Sequence, residues 1–163
     1  GKFTESQKKI YNLVLKSQLA AIDACVVGNE YIEIHKAASK VLAEGLVDLG
    51  IINCSPEEAL ENGELKKYFM HGTGHWIGLD VHDVGIYKPD GKPRKFEPGM
   101  VITIEPGLYF GDWRPDLNDL DPQWAGIGIR IEDDVLITEN GPDVLSSRCP
   151  KNLDEIESLI GSS

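Results

Sequence analysis

The first fifty residues carry apolar side chains at helical spacing, and this pattern predicts two helices. The first predicted helix covers residues 5–25, with six apolar positions at that spacing: Ile10, Leu13, Val14, Ala20, Ala21 and Ala24. Thr4 is its candidate N-cap, with Gln7 three residues later as the partner of a capping box. A second set of apolar positions predicts a helix over residues 34–49, closed by Gly50. Because the connection is short, we expect the two helices to pack antiparallel.

Apolar and polar positions alternate after residue 99, which predicts strands. The first strand is predicted over residues 100–105 and ends at Pro106-Gly107. Its two faces are formed by alternate residues: Met100, Ile102 and Ile104 on one, and Val101, Thr103 and Glu105 on the other. A second strand is predicted over residues 126–138, before Gly141-Pro142. Its faces are Ile127, Ile129 and Ile131 on one side, and Gly128, Arg130 and Glu132 on the other.

Shorter features complete the predicted order of elements. Ser55 followed by Pro56 is typical of a helix start, with Ser55 as the cap. Another short helix is predicted over residues 153–159, and residues 112–122, rich in Asp and Pro, are expected to form a loop. The chain shows no internal repeat and no dividing linker. Two helices, an antiparallel sheet and a terminal helix place the chain in the α+β class.

Composition and charge exclude several classes of function. The 163 residues are 41% hydrophobic and 26% charged, which is usual for a folded domain. The net charge of −11 argues against a nucleic-acid partner and against an anionic membrane surface. We find no apolar run of about 18 residues and no signal peptide, so neither a membrane span nor secretion is predicted. The cysteines Cys25, Cys54 and Cys149 match no zinc or redox spacing. We expect free thiols in a reducing compartment, hence a cytoplasmic location.

Three of the four histidines fall within residues 71–82. His71, His75 and His82 share this segment with three glycines, a pattern typical of a constrained backbone that holds imidazole ligands. The alternative interpretation is a pair of strands whose histidines hydrogen-bond into a core. His35 lies outside the segment, on the second predicted helix, and is expected to be exposed there.

Two glutamates occupy predicted strands that are otherwise apolar. Glu105 and Glu132 each follow an isoleucine near a strand end, where a buried carboxylate is costly unless it is paired or bound to a cation. The alternative is a local ion pair, because Arg130 is predicted on the same face as Glu132. Imidazole and carboxylates together suit Mn²⁺, Co²⁺, Zn²⁺ or Fe²⁺, and paired ions of this kind activate water for hydrolysis. The residues alone therefore indicate a metallohydrolase.

Three motifs of the chain resemble those of the Xaa-Pro aminopeptidase (aminopeptidase P) and prolidase family. They are HGTGHWIGLDVHDVG at residues 71–85, EPGMVITIEPGLY at residues 97–109 and GIRIEDD at residues 128–134. Their order and spacing are similar to those of the family, and the similarity extends over nearly the whole chain. The bacterial aminopeptidase P branch is the most similar. Methionine aminopeptidases share the fold, but their histidine-rich segment differs.

The resemblance implies the C-terminal portion of a pita-bread fold, with a curved antiparallel sheet and two divalent metal ions. Manganese is the first expectation for these ions, with cobalt or zinc as alternatives. The implied metal ligands are His75, Glu105 and Glu132, of which Glu132 would bridge both ions. Glu105 would also move the proton of the attacking water.

Further roles follow from the same resemblance. His71 and His82 would be catalytic and substrate-binding residues, with His82 contacting the substrate or its tetrahedral intermediate. Arg130 would lie behind the ligands and hold an acidic one in place. The expected substrates are peptides with proline at the second position, and self-association into a homo-oligomer is a further expectation.

One departure from the family concerns the number of metal ligands. The family uses five ligands, and two of them are aspartates on a hairpin that would precede Gly1. None of the aspartates of this chain has the matching strand context. We therefore expect residues 1–163 to be the C-terminal portion of a metallopeptidase catalytic domain. The chain alone is expected to hold metal poorly, to be inactive or nearly so, and to expose an apolar face where the other half would pack.

Three alternative functions differ from the leading one. Prolidase activity on Xaa-Pro dipeptides is the nearest, because the motifs do not separate it from aminopeptidase activity. A non-catalytic binding module with the same fold belongs to a different class, as does a metal-independent relative such as creatinase. The presence of His75, Glu105 and Glu132 disfavours both of these.

Overall fold

A computed structural model describes residues 1–111 and 120–161 of the chain. Most of the loop expected at residues 112–122 lies outside them. The helices are α1 (Glu5–Asp23), α2 (Ile32–Asp48), α3 (Pro56–Glu61) and α4 (Leu153–Ile160). The strands are β1 (Val101–Ile104), β2 (Gly107–Tyr109), β3 (Gly128–Arg130), β4 (Asp133–Thr138) and β5 (Gly141–Val144). Short 3₁₀ turns at Glu64–Lys67 and Pro89–Gly91 were not predicted.

The helices confirm the sequence pattern closely. Thr4 caps α1, and both hydrogen bonds of the capping box with Gln7 are present. Ser55 caps α3 in the same way, with Pro56 at its first position. The first half of α1 packs in one apolar cluster with the second half of α2, and the second half of α1 packs with the first half of α2. The two long helices are therefore antiparallel, as predicted.

The strands differ from the prediction in two places. Residues 126–138 form two strands, β3 and β4, and not one, because the chain breaks at Ile131 and Glu132. Gly141-Pro142 does not end the sheet, since the chain turns there and returns as β5, paired with β4. Gly141 has a φ of 110°, and glycine accommodates this tight reversal without strain.

The sheet register places two breaks opposite each other. Ile104 pairs with Asp133 where β1 meets β4, and Gly107 pairs with Arg130 where β2 meets β3. Residues 105–106 and 131–132 lie between these pairs, so one long antiparallel ribbon is interrupted on both strands at the same level. Pro106 has no N–H to donate at this point. The interruption brings Glu105 and Glu132 to the same region of the molecule.

Exposed apolar side chains are concentrated at the end of the histidine-rich segment 71–82 and directly after it. Four of them lie between residues 79 and 86: Leu79, Val81, Val84 and Ile86. Leu79 and Val84 are almost fully exposed, at 103% and 91%. Apolar runs of this kind usually mark a contact surface. No helix of residues 1–111 and 120–161 combines the length and the hydropathy needed to cross a bilayer.

The three cysteine thiols are unpaired, as predicted, and differ sharply in environment. Cys25 is fully buried, and burial raises its pKa to about 12. Cys149 is exposed and Cys54 is intermediate. Because the thiolate is the reactive form, we expect Ellman's reagent to label Cys149 fast and Cys25 only after unfolding. Replacing Cys149 by serine should remove the fast phase, and fast labelling of Cys25 in the folded chain would contradict the described packing.

Candidate metal centre

His75, Glu105 and Glu132 meet in space, although 57 positions separate the first from the last. One ligand atom from each lies within 4.8 Å of the other two. Glu105 directly follows β1, and Glu132 directly precedes β4, so both stand at the interruption of the ribbon. Within the part of the chain that the structure describes, no other three His, Cys, Asp or Glu side chains come together in this way.

Residues 73–77 run antiparallel along the free edge of β1 and bring His75 to Glu105. Backbone hydrogen bonds connect Thr103 N–H to the His75 carbonyl at 2.9 Å and Glu105 N–H to the Thr73 carbonyl at 2.7 Å. A third joins Ile77 N–H to the Val101 carbonyl at 3.1 Å. The approach is so close that a Cβ on residue 74 would lie 1.9 Å from the Thr103 carbonyl oxygen. Gly74 is therefore required for this pairing.

The hydrogen bonds of His75 show that this donor set fits a cation. Its Nδ1 lies 3.0 Å from the Trp76 carbonyl, which only accepts, so Nδ1 carries a proton. In the neutral ring, Nε2 then presents a lone pair to Glu105 Oε1, 3.3 Å away. Two acceptors facing each other need a positive charge between them. Two donors bound at about 2.1 Å to one ion lie about 3.0–3.4 Å apart, which matches this separation.

Glu132 completes the cluster from an exposed position. Partial desolvation and the nearby negative charge of Glu105 raise its pKa. Arg130 offsets part of this effect, and its Nη1 lies 3.3 Å from Glu105 Oε2. The guanidinium thus contacts Glu105, the neighbour of Glu132 across the break. Two carboxylates and one imidazole that concentrate negative charge in this way favour a divalent ion.

Tyr109 connects His71 to Arg130, and neither of these two contacts was predicted from the sequence. Its hydroxyl accepts a hydrogen bond from Arg130 Nε at 2.7 Å and lies 2.9 Å from His71 Nε2. His71 Nδ1 donates to the Gly72 carbonyl at 2.7 Å, so the Tyr109 hydroxyl donates to Nε2 of a neutral ring. Burial lowers the His71 pKa, which favours that neutral form. The signal for Tyr109 was its place at the end of the second motif.

The other two histidines occupy contrasting positions. The ring of His82 is exposed, and its centroid lies 4.3 Å from that of His75 at the edge of the cluster. The sequence predicted an exposed His35 on its helix, but the structure shows that this side chain is half-buried. Its Nδ1 lies 2.9 Å from Thr73 Oγ1, and its ring packs against Phe69. These contacts show that the prediction of a solvent-exposed side chain was wrong, and the burial lowers the His35 pKa.

A comparison of the sequence with family profiles identifies the family of this chain. The sequence profile of metallopeptidase family M24 matches residues 1–139 of the chain. This chain belongs to metallopeptidase family M24. Its mixed helices and antiparallel strands are a portion of the pita-bread fold of that family.

Several M24 relatives are aminopeptidases of bacteria. The Xaa-Pro aminopeptidase of Haemophilus influenzae is 44% identical over 160 residues, which are 98% of this chain and 36% of that relative. Aminopeptidase PepP of Pseudomonas aeruginosa is 43% identical, with a TM-score of 0.93 over 99% of this chain and 36% of the other. Escherichia coli aminopeptidase P is 42% identical, with a TM-score of 0.90 and the same coverage. Its structures include a complex with the inhibitor Pro-Leu and a zinc-substituted form with product. The chain spans about a third of the length of these M24 relatives.

Proposed function

We propose that the chain contributes part of the active site of a metal-dependent aminopeptidase that releases the residue before proline. The convergence of His75, Glu105 and Glu132 within 4.8 Å carries this proposal. The names of the relatives supply the reaction, since they are Xaa-Pro aminopeptidases. A peptide substrate is consistent with the Pro-Leu complex of the Escherichia coli enzyme.

His75, Glu105 and Glu132 would hold the divalent ions, with Glu132 in the bridging position. Divalent ions held there would supply Lewis acidity, which polarises a scissile carbonyl and lowers the pKa of water so that hydroxide is available as the nucleophile. We propose manganese as the physiological metal, with cobalt or zinc as alternatives that the same ligand set accepts. The zinc-substituted form of the Escherichia coli relative supports a site that takes more than one metal.

The side chains around the ligands would move protons and orient the substrate. Glu105 would take the proton of the attacking water and return it toward the proline nitrogen that leaves. His82, exposed beside His75, would contact the oxygen of the tetrahedral intermediate. Both ring nitrogens of His71 form hydrogen bonds, to the Gly72 carbonyl and the Tyr109 hydroxyl. His71 would therefore line the substrate site with its ring held in a fixed orientation. Arg130, whose Nη1 lies 3.3 Å from Glu105 Oε2, would hold the Glu105 carboxylate in place.

We further propose that residues 1–163 are the C-terminal portion of the catalytic domain. Three ligands fall short of the five that a dinuclear centre of this family uses. The exposed side chains of Leu79, Val81, Val84 and Ile86 would pack against the remainder of the domain. The unpaired thiols favour the cytoplasm. The acidic net charge of −11 disfavours nucleic acid and anionic membranes as partners.

A chimeric enzyme tests the proposed reaction. The segment of Escherichia coli aminopeptidase P that corresponds to this chain would be replaced by residues 1–163. With added Mn²⁺, we expect the chimera to release the first residue of an Xaa-Pro tripeptide, because it restores the full set of ligands. The 163-residue chain alone should show little or no turnover under the same conditions.

Two comparisons make this experiment decisive. An Xaa-Pro dipeptide tests prolidase activity, and faster cleavage of the dipeptide than of the tripeptide would replace the aminopeptidase proposal. Circular dichroism of the chimera separates a folding failure from a catalytic one. A folded chimera that binds Mn²⁺ and cleaves neither peptide would contradict a catalytic role and favour a binding module.

A further inference from the structure

Thr103 lies between two of the proposed metal ligands and is almost fully buried, with 2% of its surface exposed. On β1 it is two residues before Glu105, so both side chains project from the same face of the strand. Across the strand pair it stands opposite His75, whose carbonyl accepts the Thr103 N–H.

Both hydrogen-bonding functions of this hydroxyl are used. The backbone N–H of His75 donates to Thr103 Oγ1 at 2.9 Å, and Oγ1 lies 3.0 Å from Glu105 Oε1. An amide N–H only donates and a carboxylate only accepts, so the hydroxyl proton of Thr103 points at Oε1. One hydroxyl therefore joins the backbone of one ligand residue to the carboxylate of the other.

The contact determines how the Glu105 carboxylate is rotated. Thr103 occupies one lone-pair direction of Oε1, and Oε2 contacts Arg130 Nη1 at 3.3 Å. The remaining lone pair of Oε1 then faces His75 Nε2, and these two atoms are also 3.3 Å apart. A carboxylate held at both oxygens has little freedom to turn away, so its ligand atom is oriented before any ion arrives.

We propose that Thr103 is a positioning residue, whose hydroxyl orients Glu105 and His75 toward a shared divalent ion. This inference rests on the proposed metal site and adds a residue that does not itself contact the ion. It makes a specific chemical demand on position 103, which is a hydroxyl and not merely a β-branched side chain of the right volume.

Three variants, each made in the chimera that carries the full set of ligands, separate the effect of the hydroxyl from that of packing. Thr103→Val keeps the shape and removes the hydroxyl, whereas Thr103→Ser keeps the hydroxyl and removes a methyl group. Thr138→Val is the matched control, because the Thr138 hydroxyl makes hydrogen bonds in the β4–β5 turn, away from the three ligands. Each chimera would be titrated with Co²⁺, whose visible absorption reports affinity and coordination geometry.

We expect Thr103→Val to weaken Co²⁺ binding by about 10–100-fold and to shift the absorption band, as is usual when a hydrogen bond to a ligand is lost. Thr103→Ser should restore both, and Thr138→Val should leave both unchanged. Equal losses in Thr103→Val and Thr103→Ser, or normal binding by Thr103→Val, would overturn the inference. Failure of the unsubstituted chimera to bind Co²⁺ even at millimolar concentration would instead contradict the proposed metal site. Thermal unfolding without metal identifies any variant that has lost the fold.

Discussion

Replacement of Glu105 by glutamine is expected to abolish hydrolysis by the chimera and to remove most of the metal affinity of the chain. Glutamine keeps the shape of the side chain but loses the negative charge that lies 3.3 Å from His75 Nε2. Loss of a general base costs about 10²–10⁴ in rate, and Glu105 is proposed to act both as base and as ligand. We therefore expect a fall in kcat/KM of at least about 10³-fold, measured with the Xaa-Pro tripeptide.

The metal-free chain should tolerate this substitution well. Glu105 raises the pKa of Glu132 through the repulsion of two like charges, so a neutral residue 105 relieves that repulsion. The substitution also removes the ion pair between residue 105 and Arg130. The lost ion pair lowers stability and the relieved repulsion raises it, so the two effects oppose each other. An unfolding temperature close to that of the unsubstituted chain would show that lost activity reflects lost chemistry.

Glu139 offers a matched control for this experiment. It is an exposed carboxylate in the turn after β4, at the opposite end of that strand from Glu132. Glu139→Gln should leave metal affinity and turnover unchanged. Full activity in Glu105→Gln would remove Glu105 from the catalytic machinery, and equal losses in both variants would point to a nonspecific effect of charge.

Local signals explain which elements were predictable from the sequence. The capping box of α1 joins Thr4 to a residue three positions away, and the Pro56 start of α3 is equally local. The alternation of residues 100–105 predicted β1 because strand periodicity is visible within a few residues. Such features depend on neighbours in the chain and can be interpreted without knowing the fold.

The break at residues 131–132 could not be predicted in this way. Residues 126–138 alternate without interruption, and what divides β3 from β4 is the opposing strand, which breaks at Glu105 and Pro106. The same holds for Tyr109, whose partners His71 and Arg130 lie 38 and 21 positions away. The residues alone pointed to Glu105, Glu132 and a histidine of residues 71–82, and the family resemblance, which carries long-range information that periodicity lacks, singled out His75.

Asp133 belongs to the third motif, but its structural role depends on partners that are distant in sequence. Its carboxylate is 2% exposed and accepts hydrogen bonds from Gln18 at 2.5 Å, Ser146 at 2.6 Å and Lys151. Burial alone would raise its pKa, but these three donors outweigh burial, so the Asp133 pKa is lowered. The network connects α1, the start of β4 and the segment before α4. Its centre, Asp133, directly follows Glu132 in the chain.

Replacement of Asp133 by alanine is expected to lower the free energy of unfolding by about 2–4 kcal/mol, since buried donors lose their acceptor. Gln18 is fully buried and loses an acceptor for its amide N–H, whereas Lys151 is 25% exposed and regains some hydration. For a chain of this length the change corresponds to a fall of about 5–12 °C in unfolding temperature. Urea unfolding at neutral pH measures the change in the free energy of unfolding directly.

The pH dependence separates a charge network from simple packing. A carboxylate whose folded pKa is lowered stabilises the fold above its ordinary pKa, and this contribution disappears as pH falls through the lowered value. The stability difference between the unsubstituted chain and Asp133→Ala should therefore be largest near neutral pH and shrink in acid. Asp143→Ala, which removes an exposed carboxylate from β5, should change stability by less than about 0.5 kcal/mol. A difference for Asp133→Ala that stays constant down to pH 2 would show that volume, and not charge, holds the start of β4 beside Glu132.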